Sequence, residues 1–405
     1  MKIASGFLAA LVLLMSVPQA QAAAVNEEYV WQLTAISEYV ERLLGVHPPL
    51  DTAEKRDIIA AGTAWTVASQ EENGHFGYEY APYDGVYLRG EGMVRQAGTL
   101  FMLSEVYLQQ TEKDPRIATA IEQAIDYFES ISLEEGSFWC IKNSERSTKC
   151  ELGSASLALI GLVNYVTAVP EKEKVYESLI ENYFNYLRVA KFVGKGFSAN
   201  YDAEDSFSAK ESPFYNGEAM LALVKYYQYR PDNEVKDMLQ ETFEHLRKQE
   251  HESPLYLWIM AALKEMKVLW PNEAYVTYAK DFTNERLVSA ATRHHLTHNY
   301  CAPLEGLVSA YSVLEGTADD ELLTQLYDEI QYWLSRTTAL QVGRTTPYRV
   351  NTIDGVLQLQ TVTDPAQAYG GFLTGEEVLT QRIDFTQHCV SAYLQTLVDI
   401  EGEEL

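Results

Sequence analysis

Hydrophobic residues recur along this chain in two distinct helical patterns. In the first, apolar side chains fall every three or four residues and leave one polar face, as between Ile117 and Ile131. This spacing predicts a helix that buries one side. In the second, apolar and small residues surround nearly the whole helix, as in MVRQAGTLFMLSEVYL over residues 93–108. Because a helix that is apolar all round is buried on all sides, the chain predicts outer helices and fully buried inner helices.

The two kinds of helix alternate along the chain. Outer helices are predicted near residues 53–70, 115–131, 172–189, 233–248, 271–283 and 319–338. Inner helices are predicted near residues 93–109, 151–168, 216–229, 254–268, 303–315 and 384–400, and an extra helix near residues 26–44 precedes the six pairs. Such a repeat predicts an all-α architecture, and a buried inner set favours a closed double ring. An open α-solenoid or an irregular helical bundle is the alternative.

The N-terminal segment has the pattern of a secretory signal peptide. Lys2 supplies a positive charge, residues 7–15 are apolar, and residues 20–22 form a small-residue cleavage site. We therefore expect residues 1–22 to be removed and residues 23–405 to form a single domain. An uncleaved anchor is the alternative, although the apolar run is short for a bilayer. The mature protein is expected to be periplasmic or secreted, without a stable membrane anchor.

Charge and aromatic content narrow the classes of ligand. The 405 residues include 58 Asp and Glu against 31 Lys and Arg, for a net charge of −27. Nucleic-acid binding rests on Lys and Arg, so a general nucleic-acid binder is excluded. Many of the 27 tyrosines fall in or beside predicted loops, where aromatic faces suit sugar rings or simply pack the loops. A neutral or amino-bearing glycan, or a basic peptide, is the expected partner.

The connections between helices differ in length according to their direction. The outer-to-inner loops are long, over residues 71–92, 132–150, 190–215, 284–302 and 339–383, whereas the inner-to-outer turns are short. All long loops therefore emerge on one face of the ring, at the N-termini of the inner helices. Long loops over a rigid scaffold are where binding sites concentrate, so a cleft is expected on this face.

Acidic residues stand near the start of most predicted inner helices. They could simply complement the helix dipoles and cap the helix ends. A ring of converging carboxylates could instead supply the acid and base of glycoside chemistry. The candidate catalytic residues are Glu218, Glu305, Asp384 and His388. The candidate substrate-binding residues are Tyr83, Arg95, Tyr215, His298, Tyr300 and Arg349.

The four cysteines suggest disulfides, because export places them in an oxidising compartment. Cys140 and Cys150 flank one polar segment, and we predict a bridge between them. Cys301 and Cys389 fall on neighbouring predicted inner helices. A disulfide is favoured for this second pair, with buried thiols or a zinc site as alternatives. The zinc site would be formed by His298, Cys301, His388 and Cys389.

Recurring phrases accompany the six helical pairs. They include YNGEAMLAL over residues 215–223 and the aromatic–glycine loops over residues 73–80, 135–140, 194–202 and 369–372. With these phrases the chain resembles the (α/α)6 toroids, namely the six-hairpin glycosidases and the similar toroids of prenyltransferases and lanthionine cyclases. The resemblance covers about residues 53–401 and implies an active centre on the long-loop face. Some of these toroids hold zinc, but their ligand motif is not matched, and no cofactor is predicted.

Three hypotheses for function follow. The first is an exported, glycoside hydrolase-like carbohydrate-active enzyme that hydrolyses, cleaves or epimerises a glycan by carboxylate acid–base catalysis. The second is a non-catalytic toroid that binds a glycan or peptide. The third is a zinc-dependent toroid enzyme. The sequence indicates neither the sugar and its linkage nor the oligomeric state.

Overall fold

The computed structural model describes residues 40–90, 92–288, 300–316, 320–344, 349–353, 356–375 and 378–405. The predicted signal peptide lies outside these residues. Of the predicted extra N-terminal helix, residues 40–44 are described and are helical. Ion pairs from Arg42 to Glu329 and from Arg336 to Glu41 join this segment to the last outer helix.

Twelve long helices form six outer–inner pairs in the described part of the chain. In chain order the pairs are α1 (Thr52–Ala68) with α2 (Met93–Gln109), α3 (Pro115–Ile131) with α4 (Leu152–Ala168), α5 (Glu173–Ala190) with α6 (Pro213–Tyr229), α7 (Asn233–Leu246) with α8 (Tyr256–Leu269), α9 (Glu273–Val288) with α10 (Cys301–Leu314), and α11 (Asp320–Thr337) with α12 (Ile383–Gln395). A π-helical turn, Thr396–Ile400, extends α12.

Local sequence explains where the outer helices begin and which face they bury. The side chain of Asp51 accepts a hydrogen bond from the backbone N–H of Glu54, and the side chain of Glu54 accepts one from the backbone N–H of Asp51. This reciprocal pair caps α1. Asp114 caps α3 ahead of Pro115, whose missing N–H costs nothing in a first turn. The stripe of α3 that the sequence predicts from Ile117 to Ile131 is buried.

The inner helices close into a ring. Each inner helix packs against the next one in chain order, and α12 packs against α2. The strand β10 (Gln381–Arg382), just before α12, pairs antiparallel with β1 (Glu79–Ala81) in the first long loop. The closed ring confirms the predicted (α/α)6 toroid and is incompatible with an open solenoid.

Short strands in the long loops were not expected from the sequence. Besides β1 and β10 they are β2 (Val86–Leu88), β3 (Ser132–Glu135), β4 (Phe138–Ile141), β5 (Lys149–Glu151), β6 (Asn200–Asp202), β7 (Ser206–Phe207), β8 (Arg349–Ile353) and β9 (Val356–Gln360). They form small antiparallel sheets in the orders β10-β1-β2, β3-β4, β5-β6-β7 and β8-β9. Strands of two to five residues are too short for hydrophobic alternation to reveal.

The inner helices are buried, but the prediction that they are apolar all round is incomplete. The polar residues Asp384, His388, Ser391 and Gln395 recur every three or four residues along α12, which places them on one side of the helix. Gln395 contacts Glu105 of α2 and Glu305 of α10, the two inner helices that flank α12. A narrow polar stripe therefore faces the axis of the ring, and the rest of each inner helix packs in the core.

The helix α4 is the most uniformly apolar of the inner helices, and it is buried from Leu152 to Val166. Within the described residues no single helix combines the length and the apolar composition needed to cross a membrane. Taken with the following segment Pro170–Ala190, α4 meets that test only as a pair bent by 120°.

Candidate functional site

The long loops meet on the face of the ring where the inner helices begin. The first loop is joined to the last by β1 and β10, and the second is joined to the third by β5 and β6. Side chains from the loops and from the first turns of the inner helices therefore lie together on this face, and we call this region the mouth. Glu305 lies about one turn inside α10, and His388 lies more than one turn inside α12; we call these two residues the floor pair.

Asp384 is held between two arginines at the mouth. Its Oδ2 accepts from Nε of Arg95 at 2.8 Å and from Nη2 of Arg382 at 2.5 Å. Both guanidinium groups lie over the ring of Tyr78, at 5.8 and 5.4 Å from its centroid. This arrangement favours a structural role for Asp384 over the predicted catalytic one. The side chain of Arg95 remains 45% exposed and is available to a ligand.

Glu218 is a buried acid on the opposite side of the ring. It lies more than one turn inside α6, so it does not cap the helix end. Its carboxyl packs against Gly153 of α4, where a methyl group would overlap both Glu218 and the ring of Tyr215. Burial, and then the charge of Glu151, raise the pKa of Glu218 well above its usual range.

The carboxyl of Glu218 has hydrogen-bonding capacity to spare. Its Oε2 has no hydrogen-bond partner among the described residues. Beside it, burial followed by the charges of Glu151 and Glu218 raises the pKa of Tyr215. A protonated carboxyl with an unused oxygen is the chemical form that a general acid requires.

The floor pair joins α10 to α12. Oε2 of Glu305 lies 2.8 Å from Nδ1 of His388, and Glu305 is only 1% exposed. The amide of Gln387 lies farther from the same Nδ1, at 3.3 Å, so we assign the Nδ1 proton to the bond with Glu305. This tautomer leaves the lone pair of a neutral imidazole on Nε2. No hydrogen bond to Nε2 is found within the described part of the chain.

Trp258 of α8 covers one side of the floor pair. Its ring centroid lies 6.0 Å from that of His388, with the two planes inclined by 57°. The His388 side chain keeps 16% of its surface exposed. A base oriented by a carboxylate is suited to take a proton from a bound ligand, and the indole ring offers that ligand an apolar surface beside it.

The other predicted substrate-binding residues do not gather at the mouth. Tyr83 is 2% exposed, and its carbonyl accepts from Gln360 and Thr363 of the last loop. Tyr300 stacks on Trp333 of the outer helix α11 at 4.1 Å. Both placements favour packing roles.

Two further predictions have no described side chain to compare. Arg349 begins β8, but its side chain is not among those described. His298 lies outside the described residues. Their roles in substrate binding therefore stay predictions.

Both predicted disulfides are present. Cys140 bonds to Cys150 across β4 and β5, and Cys301 bonds to Cys389 across α10 and α12. The second bond lies beside the floor pair, since Cys389 follows His388 directly. Because their sulfur atoms are bonded to each other, Cys301 and Cys389 do not provide the thiolates that the suggested zinc site requires. Among the described residues, no group of three or more His, Cys, Asp or Glu is arranged to hold a metal ion.

Sequence reasoning missed three polar or aromatic residues near the axis: Glu105, Trp258 and Gln395. Glu105 did carry a signal, because it is the lone acid in the otherwise apolar helix α2. A single acid in such a helix, partly removed from water, needs a partner or a raised pKa. Trp258 and Gln395 gave no comparable signal, since a Trp and a Gln occur in many packed helices.

Glu218 leads to a pH-dependent prediction for stability. Its folded-state pKa is raised, so its contribution to stability is fully present below the unfolded value and is lost as the pH rises above it. Glu218→Gln should therefore gain stability relative to the wild type as the pH rises from about 5 to about 8, by about 1.4 kcal/mol for each pH unit of this window that lies below the folded-state pKa. Urea unfolding at both pH values measures this.

Glu122 provides a control of opposite sign. Although burial acts to raise it, hydrogen bonds from Lys172 and Tyr165 lower the pKa of Glu122. Because an unfolded glutamate is already ionised above about pH 5, Glu122→Gln should lose stability relative to the wild type as the pH rises from about 3 to about 5, and the difference should then stay constant between about pH 5 and pH 8. Equal pH dependence in Glu218→Gln and the wild type would show that Glu218 is ionised in the folded protein.

Comparison with known proteins adds structures but no sequence relatives. No family model matches the chain, and no curated protein matches it. A D-mannose isomerase structure superposes with a TM-score of 0.59 at 11% identity, over 86% of this chain and 98% of that one. A cellobiose 2-epimerase from Spirochaeta thermophila gives 0.60 at 14% identity, over 87% and 98%. A family 76 glycoside hydrolase from a bovine Bacteroides thetaiotaomicron strain gives 0.58 at 8%, over 86% and 78%.

The chain has the (α/α)6 toroid fold. At these identities the likeness establishes the architecture, and the chemistry has to be argued from the site itself.

Proposed function

We propose that this protein is an exported enzyme that acts on a carbohydrate by proton transfer at the floor of the ring. The observation that carries the proposal is the 2.8 Å hydrogen bond between Glu305 and Nδ1 of His388. It provides an oriented general base at the inner end of the mouth, the region where Tyr78, Arg95 and Tyr215 lie. Structures of similar fold include a sugar isomerase, a sugar epimerase and a glycoside hydrolase, which supports a sugar as substrate.

His388 acts as the base and Glu305 as the residue that orients it. Nε2 of His388 takes a proton from the carbon next to the carbonyl of an open-chain sugar. Glu305 stabilises the imidazolium that forms. Glu218, on the helix opposite α12 in the ring, gives its proton to the carbonyl oxygen, so that an enediol results. Return of the proton from His388 to carbon, with transfer of an enediol hydroxyl proton back to Glu218, then yields an epimer or an isomer, and no atom is gained or lost.

Hydrolysis of a glycosidic bond is the second candidate, because of Glu218. A carboxyl with a raised pKa is the general acid that glycosidases use to protonate the leaving oxygen. The products distinguish the two reactions. Proton transfer at carbon gives a product isomeric with its substrate, whereas hydrolysis releases a shorter glycan and a new reducing end.

Export is supported by two features of the chain. The N-terminal sequence has the signal-peptide pattern, and the structure contains two disulfides, which persist in oxidising compartments. Fractionation of the native host, with N-terminal sequencing of the mature protein, tests this part of the proposal. A mature chain that begins at residue 23 supports it, and an intact Met1 on a cytoplasmic protein contradicts it.

Arg95 is proposed to bind the substrate rather than to react with it. Losing a hydrogen bond from a charged group costs about 1.5–3 kcal/mol, so Arg95→Leu should raise KM roughly tenfold or more with a smaller change in kcat. Steady-state kinetics measures the two separately. Arg116, an exposed arginine paired with Asp114 at the start of α3, offers a control, and Arg116→Leu should leave both constants unchanged. An unchanged KM in Arg95→Leu would remove Arg95 from the binding site.

A further inference from the structure

A further acid, partly buried, lies beneath the floor pair on the axis of the ring. Glu105 is on α2, ten residues after Arg95, and therefore about 15 Å deeper along the helix. Its Oε1 accepts from Nε2 of Gln395 at 3.1 Å, and its Oε2 accepts from the hydroxyl of Ser391 at 3.2 Å. Both partners belong to the polar stripe that also carries His388.

Gln395 connects this acid to the floor pair. The same Nε2 that donates to Glu105 lies 3.5 Å from Oε1 of Glu305. Oε2 of Glu305 bonds to His388, so the contacts run from Glu105 through Gln395 and Glu305 to the imidazole. The hydroxyl of Ser309 lies 3.5 Å from the carbonyl oxygen of Gln395, which holds the amide in this orientation.

Four charged groups on other parts of the chain act on the pKa of Glu105. Burial, and then the charge of Glu305, raise the pKa of Glu105 to about 7; Lys264 and Lys225 act to lower it and Asp399 to raise it. The two lysines are already paired, Lys264 with Asp399 at 2.7 Å and Lys225 with Glu265 at 2.7 Å.

Two other helices that pack against α2 carry titratable groups that are bonded to partners other than Glu105. The titratable side chain of α4, Tyr165, bonds to Glu122 on the outer helix α3. The buried lysine of α1, Lys55, pairs with Glu401. Glu305 is thus the acid that acts most strongly on Glu105.

We propose that Glu105 is a positioning residue for the floor pair. While Glu105 is neutral, Glu305 is the one negative charge of this chain of contacts, and it orients the imidazole of His388 through Nδ1. When Glu105 ionises, a second negative charge behind Glu305 favours the imidazolium form, which cannot accept a proton. The catalytic meaning of this coupling rests on the proposed function, whereas the coupling itself does not.

The first test needs no substrate. We would follow the side-chain carboxyl carbon of Glu105 by 13C NMR as the pH is varied, with the signal assigned by its loss in Glu105→Gln. In the wild type it should titrate near neutral pH. In Glu305→Gln the midpoint should move to lower pH by about one unit, because the neighbouring charge is gone. The control Glu122→Gln should leave the midpoint in place. A midpoint that Glu305→Gln does not move overturns the proposal.

The second test uses the pH profile of sugar turnover. Glu105→Gln mimics the neutral acid and keeps its shape, so it should fold. It should move the acidic limb of kcat/KM to lower pH by about one unit, with kcat at the plateau within about twofold of the wild type. A purely structural role would lower kcat at every pH without moving the limb, and that result would overturn the proposal. If the protein turns over no sugar, the proposed function is wrong. The 13C titration of Glu105 still shows whether Glu105 is coupled to Glu305.

Discussion

Replacing His388 with asparagine should lower kcat about 10³-fold, because general acid–base groups contribute roughly 10²–10⁴-fold to enzymatic rates. Asparagine retains a donor for Glu305 but cannot take a proton at neutral pH. KM should change much less, since the variant leaves the mouth, with Arg95 and Tyr215, intact. Steady-state kinetics on the sugar that the wild type converts best gives both constants.

The chain offers a matched control for this variant. His245 on the outer helix α7 also contacts a carboxylate, with its Nε2 3.2 Å from Oε2 of Glu211, but it lies away from the axis. His245→Asn removes the same kind of contact and should leave kcat unchanged. Equal activity of His388→Asn and the wild type would show that the floor pair is not the reacting centre.

Removing the disulfide between Cys301 and Cys389 should destabilise the protein more than removing the one between Cys140 and Cys150. The two loops span 88 and 10 residues. On the chain-entropy account, constraining them in the unfolded chain is worth about 4.5 and about 2.7 kcal/mol, respectively. Urea unfolding of the two double alanine variants, under non-reducing conditions, measures both losses.

The longer disulfide should also affect the reaction, and the shorter one should not. Cys301 precedes Glu305 by one turn of α10, and Cys389 is adjacent to His388 on α12. Without the bond the two helices can separate slightly, which lengthens the hydrogen bond of the floor pair and lowers kcat. If loss of the shorter disulfide lowers stability and activity as much as loss of the longer one, the bond between α10 and α12 does not specifically support the floor pair.

The architecture was predictable because it repeats. Six outer helices with one polar face and six inner helices without one are visible in the hydrophobic pattern, and only a closed ring buries both sets. The short strands escaped prediction because pairs such as β1 and β10 form between segments some 300 residues apart, and each is only two or three residues long. The polar stripe was not predicted from the sequence, because each apolar helix contributes only a few polar residues to it.

The site was predictable in part, for a different reason. Glu218, Glu305 and His388 stand out locally as polar residues near the start of inner helices. That Glu305 meets His388 is a tertiary fact, since 83 residues separate them. The sequence cannot separate binding from packing among loop aromatics: Tyr300 is a predicted substrate contact, and in the structure its ring stacks on Trp333. The pairing of Asp384, a predicted catalytic residue, with Arg95 depends on ring closure, so the sequence does not reveal it.

The central claim is that His388 moves a proton on and off a carbon of a sugar. We would incubate the mature protein with a panel of reducing mono- and disaccharides in D2O and follow the sugar carbons by NMR. The claim predicts that deuterium from the solvent enters the carbon next to the carbonyl of one sugar, and that His388→Asn abolishes this exchange. Hydrolysis of a glycoside with no deuterium on carbon, or exchange that is undiminished in His388→Asn, would contradict it.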